Sequence, residues 1–152
     1  YFDTDVEVVR SISPLLNDEG FIGFENDQFV NSGQAMAAVP HQPVVQAMIE
    51  EYKKLHFANA DGTVNAVGCP HLNSDVLERF GLVRNGQEQV VAGIHVYPAD
   101  WFNPLDSVTG KLKKTENTYS VHWYSMSWLP KSTQIKARLG RVVRRILRKG
   151  KS

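Results

Sequence analysis

Strand-like and helix-like stretches alternate along this chain, and that alternation limits the folds open to it more than any other feature. Val6 and Val8 flank Glu7 in a short half-buried strand pattern that Ser13-Pro14 closes. Phe21 to Phe24 and Phe29 to Ala38 read as two further strands, with the polar Glu25-Asn26-Asp27-Gln28 between them as a turn. Pro43 suits a first helical turn, and Val45, Met48, Ile49, Tyr52 and Leu55 then recur at three- and four-residue spacing, which predicts a helix to about His56. Asn73 or Ser74 is placed to cap a shorter helix through Phe80, with Gly81 as its left-handed stop. Val90 to Tyr97 reads as one strand ended by Pro98, Trp101 to Lys114 as loop, and Tyr119, Val121 and Trp123 as a last strand. The expectation is an α/β fold with a mixed sheet and flanking helices.

Composition sets the outer bounds. A chain of 152 residues, 42% hydrophobic and 22% charged, has the make-up of one globular domain. Cys69 is the single cysteine, so no internal disulfide forms, and the expected setting is reducing and cytoplasmic. No apolar run reaches the roughly 18 residues of a membrane span, and the N-terminal residues lack the order of a signal peptide.

The net charge of +1 conceals two opposite halves: from Lys131 onward there are nine Lys or Arg and no acid, leaving the other eight bases to face all 16 acids. An acidic body disfavours a phosphate-backbone reader, so nucleic acid is not an expected partner. The division expected is a body over residues 1–130 and a tail over 131–152. In the tail, Ile135, Leu139, Val142, Val143 and Ile146 line one helical face, and Arg138, Arg141, Arg144, Arg145 and Arg148 the other. Such a basic amphipathic helix over residues 133–149 either docks its apolar stripe on the body or lies on an anionic membrane surface, peripheral at the inner face.

Asp3-Thr4-Asp5 places two carboxylates two residues apart beside a strand, where they can share a hard cation. A calcium-loop reading fails, because Val8 stands where such a loop needs glycine. His122 offers an imidazole, and Ser127 and Trp128 offer a hydroxyl and an indole N–H to phosphate oxygens. His41, His56 and His95 read as structural or solvent-exposed, and His71 beside Cys69 as a weak metal pair.

Taken in order, Tyr1-Phe-Asp-Thr-Asp-Val-Glu-Val8, Gly23-Phe-Glu-Asn-Asp27, Asn31-Ser-Gly33, Glu116-Asn-Thr-Tyr-Ser-Val-His122 and Ser127-Trp128 resemble the DXD sugar-binding region of glycosyltransferase family 32. Relatives in that family include capsule and lipopolysaccharide glycosyltransferases and α-1,6-mannosyltransferases. The resemblance covers residues 1 to about 130 and lacks the family's upstream half, with its base-gripping strand and Ser-Asp…Arg helix, so Tyr1 is expected to lie inside a longer chain. Where family members carry Gly-Pro, this chain reads Gly68-Cys69-Pro70.

The resemblance implies the C-terminal portion of a GT-A fold and a metal-dependent transfer of a hexosyl group from a UDP- or GDP-sugar to a glycan or glycolipid, with retention. Asp3 and Asp5 would be the catalytic acids, holding Mn2+ or Mg2+ together with His122. Ser127 and Trp128 would hold the donor diphosphate, and Glu25, Asn26, Asp27, Asn31, Gly33 and Pro70 would line the sugar or acceptor side. The competing readings are a carbohydrate-binding domain without catalysis and a membrane-surface adaptor organised by the tail.

Overall fold

The computed structural model describes residues 1–56, 58–59, 61–63 and 67–125, and in the tail residues 131–132, 135–136 and 140. Ser127, Trp128 and nearly all of the helix expected over residues 133–149 lie outside the described residues. The body is mixed α/β. Four strands form one sheet in the order β3-β2-β5-β4, with β2 (Gly20–Phe24), β3 (Val30–Ala38), β4 (Gln89–Val91) and β5 (Ile94–Tyr97). The β2–β5 pair is parallel, while the β2–β3 and β4–β5 pairs are antiparallel. A second, two-stranded antiparallel ribbon joins β1 (Val6–Val8) to β6 (Ser120–His122).

All five residues of β2 are buried because both faces of the sheet are covered. Its side chains alternate between two cores, as the period of two demands. Ile22 and Phe24 meet Ile94 and Val96 of β5, and helices α1 (Pro43–Lys53) and α2 (Cys69–Arg79) cover this face with Val44, Met48, Val76 and Leu77. Phe21 points the other way, into a cluster with Tyr97, Tyr119, Ala35 and Phe102, the last from the four-residue helix α3 (Ala99–Phe102). Each such apolar side chain contributes about 1.5–3 kcal/mol by leaving water.

Four expectations needed correction at their edges. Helix α1 stops at Lys53 rather than His56; its start is fixed by Gln42, whose Oε1 accepts from the Val44 and Val45 N–H groups at 2.6 and 3.4 Å. Helix α2 starts at Cys69, one turn before Asn73 and Ser74, so neither residue is a cap. Both are buried inside the helix, where Asn73 donates to Ser32 Oγ and Ser74 Oγ accepts from Val30 N, tying α2 to β3. The single strand expected over Val90–Tyr97 is a tight hairpin, since Ala92 and Gly93 both take positive φ, 46° and 83°. The loop expected from Trp101 to Lys114 opens inside α3 and later forms a Leu105–Leu112 bridge.

The irregularity that matters most for function lies in β3. Ile22 pairs with Met36, yet the next residue, Gly23, pairs with Asn31, so one step along β2 spans five along β3. Residues 32–35 bulge away from β2. The N-terminal segment runs along the bulge: Tyr1 and Met36 exchange backbone hydrogen bonds, and Asp3 N donates to Gly33 O at 2.8 Å. Beyond Asp3 the chain turns, with Val6 N donating to Asp3 O at 3.1 Å, and enters β1. Asp3 and Asp5 therefore sit on a turn between two paired segments rather than at alternate positions of a regular strand.

Candidate metal centre

Two elements bring three side chains together at the turn. Asp3 and Asp5 come from its first and third positions, and His122 from β6, where it pairs with Val6 of β1. Each offers a ligand atom, and these atoms lie within 4.8 Å of one another. Donors about 2.1 Å from an ion stand about 3 Å apart when adjacent and about 4.2 Å apart when opposite, so a small side-chain rotation closes this set on one cation. His122 is buried and the two acids are half-buried.

Each side chain is held by neighbours. Asp5 Oδ1 faces His122 Nε2 at 3.1 Å, and Asp5 Oδ2 accepts from Ser125 N at 2.7 Å. Burial raises the pKa of the Asp5 carboxyl, but the Ser125 N–H and then the charge of His122 outweigh that and hold it below the ordinary aspartate value. The group is thus an anion across the neutral range, the form in which a carboxylate can hold a cation. Asp3 Oδ1 accepts from the Tyr1 hydroxyl at 2.7 Å, and that bond raises the pKa of the Tyr1 phenol. Asp3 Oδ2 packs against Gly33, where any Cβ would overlap it. A Cβ at residue 33 would force that carboxylate to move.

The surrounding shell combines residues legible in the sequence with others that were not. Asn31 is buried; its Oδ1 accepts from Gly33 N at 2.8 Å and its Nδ2 donates to Glu25 Oε2 at 3.0 Å. The Cys69 thiol, at the first turn of α2, donates to the same Asn31 oxygen at 3.4 Å. Burial first, and then the charges of Asp3 and Glu25, push that thiol's pKa up, so Cys69 acts here as a neutral donor. Glu25, Asn31, Gly33 and Cys69 therefore border the acids. Asn26 instead spends its side chain on the β2–β3 turn, accepting from Gln28 N and Phe29 N. Asp27 lies against Gly86. Pro70 is in the first turn of α2, its carbonyl accepting from Ser74 Oγ.

Tyr124 lies over the His122 ring at 4.2 Å between centroids, with φ of 50°. Burial, with the charge of Glu25, pushes its phenol far above the ordinary value. Neither Tyr124 nor Ser125 was marked by the sequence pattern; Ser125 acts through a backbone N–H, which no side-chain motif reports. His95 and His71 serve the fold: His95 bridges Asp18 and Glu88 at 3.1 and 2.8 Å, and His71 packs on Phe29.

Two carboxylates and one imidazole suit a divalent ion that accepts both oxygen and nitrogen, and the imidazole favours Mn2+ over Mg2+. Among the described residues no helix is long and apolar enough to cross a membrane. No family model, no curated protein and no solved structure matches the chain.

Proposed function

We propose that the chain is the metal-binding part of a glycosyltransferase of GT-A type that takes a hexosyl group from a UDP- or GDP-sugar. The observation that carries this reading is the convergence of Asp3, Asp5 and His122, acids and imidazole from opposite ends of the sequence, on one ligand-sized volume. The family resemblance of the same residues supplies the reaction class. In this reading the ion, when bound, acts as a Lewis acid on the charge that develops on the departing diphosphate. Asp3 and Asp5 hold it with His122, and Ser125 N and the Tyr1 hydroxyl keep the two carboxylates aimed. Glu25, Asn31 and Gly33 line the sugar side, to which the resemblance also assigns Pro70, Asn26 and Asp27. Ser127 and Trp128, which the resemblance assigns to the donor diphosphate, grip it in this reading. The acceptor is a glycan or glycolipid, and the basic tail brings the enzyme to an anionic membrane surface.

A second reading is favoured by the 3.1 Å contact between Asp5 and His122, which can also be a structural ion pair stapling β6 to the turn. Calorimetric titration of the protein that carries this chain separates the two. Binding of UDP- or GDP-sugar that requires Mn2+, and that Asp5→Ala abolishes, supports the transferase. Nucleotide-sugar binding unaffected by a chelator, or no binding in either condition, leaves only the ion pair.

A further inference from the structure

Among the described residues, four buried side-chain atoms on elements bordering the candidate metal centre have no hydrogen-bond partner: Gln34 Oε1, Asn103 Oδ1, Ser120 Oγ and His122 Nδ1. An unpaired buried polar atom costs about 1–3 kcal/mol, so such a concentration calls for a partner. The geometry narrows what that partner is. Gln34 and Asn103 donate their amide N–H groups to consecutive carbonyls at the end of β2, Phe24 O at 2.9 Å and Glu25 O at 3.0 Å. These bonds fix both carboxamides and turn their oxygens away from β2. Ser120 and His122 alternate along β6 and so share one face. Tyr124 covers the His122 ring, and its hydroxyl lies within hydrogen-bonding reach of the Glu25 carboxylate and the Asn103 carboxamide.

The inventory of donors is short. Two carboxamide oxygens only accept; the Ser120 hydroxyl donates once; the imidazole Nδ1 donates or accepts according to what Nε2 does. The missing partner must therefore donate two protons, accept as well, and fit where these atoms have no solvent exposure. Water has this capacity, and buried water characteristically bridges about three such groups.

We infer that ordered internal water joins His122 Nδ1 to Gln34 Oε1 and Asn103 Oδ1, with the Ser120 hydroxyl completing the network, and that Gln34 is a positioning residue for His122. The direction of an imidazole that holds a metal is set by the bond at its other nitrogen. Gln34, fully buried in the β3 bulge, anchors that bond from the strand along which Asp3 runs. The bulge then does two things at once: its Gly33 receives the Asp3 carboxylate and its Gln34 orients the third ligand.

The water itself is independent of the metal reading, whereas the positioning role rests on it, and two measurements keep them apart. A crystal structure resolving ordered solvent should show water about 3 Å from Gln34 Oε1 and from His122 Nδ1. Direct contact between these side chains, or carbon filling the space, overturns the inference. Gln34→Leu should weaken Mn2+ binding about tenfold or more and shift the pulsed-EPR signal of the remote imidazole nitrogen. A lower melting temperature with both Mn2+ affinity and that signal unchanged would show Gln34 to be structural only. Should wild-type protein bind no Mn2+, the proposed function fails, and the crystal structure still decides the water. Should Gln34→Leu not fold, that structure alone decides.

Discussion

Gly33→Ala isolates the geometry of the metal centre from the general stability of the fold. Gly33 is not among the residues with positive φ, so alanine meets no backbone objection there. What it meets is the site: the new Cβ would overlap Asp3 Oδ2, come 2.9 Å from Asp3 Cγ, and come 3.1 Å from Asn31 Oδ1. The carboxylate has to rotate, which also breaks its 2.7 Å bond from the Tyr1 hydroxyl. Because Asp3 is half-buried and its carboxylate is a side-chain end, the stability cost should fall near the low end of the 1–3 kcal/mol typical of overpacking, about 1 kcal/mol. The cost in metal binding is larger. Misplacing the shell of a ligand lowers affinity about 10- to 100-fold, or about 1.4–2.7 kcal/mol. The assay is Mn2+ titration followed by the EPR signal of free ion, with thermal unfolding in parallel. Gly81→Ala is the control: Gly81 has φ of 105° and open space around it, so alanine there should cost about 1 kcal/mol of stability and leave Mn2+ affinity unchanged. Gly33→Ala binding Mn2+ as tightly as wild type would refute the placement of Asp3 at the ion.

Three further outcomes follow from the same structure. In chelator, Asp5 should stabilise the fold above the ordinary aspartate range near pH 3.9; its folded pKa is lowered, so the unfolded chain binds more protons there and the benefit fades as pH falls through the folded value. Urea unfolding of wild type and Asp5→Ala across that range should show the gap narrowing toward low pH, and a gap independent of pH would contradict the assigned shift. Phe21→Ala, at 1% exposure between Tyr97 and Phe102, should cost about 3–5 kcal/mol by denaturant unfolding. Gly93→Ala meets both a φ of 83° and the Glu19 carboxylate, so it should loosen the β4–β5 hairpin, read as faster amide exchange at Val91 and Ile94; unchanged exchange would argue against the tight turn.

Periodicity carried the regular parts of the fold. The presence of β1, β6 and α1 was legible because apolar residues recur in each at the period of the element, although Val8, Ile49 and Tyr52 on those stripes are exposed. What escaped was set by tertiary contacts. The one-turn error at the start of α2 arose because Asn73 and Ser74, good caps by type, are instead used as buried ties to β3. The hairpin inside Val90–Tyr97 was hidden because Ala92, at φ of 46°, is not a residue that announces a turn. For the site, Asp3, Asp5 and His122 were singled out by residue type and resemblance. Gln34, Asn103, Tyr124 and the Ser125 N–H were not, since their relation to His122 depends on the β3 bulge and on which atoms are left unpaired.

Pulsed EPR of Mn2+-loaded protein tests the central claim most directly, because it reports which atoms touch the ion. The account predicts a directly bound nitrogen that disappears in His122→Gln, together with loss of tight Mn2+ binding in Asp5→Ala. Mn2+ held with oxygen ligands alone, or held equally well without Asp5, would contradict it.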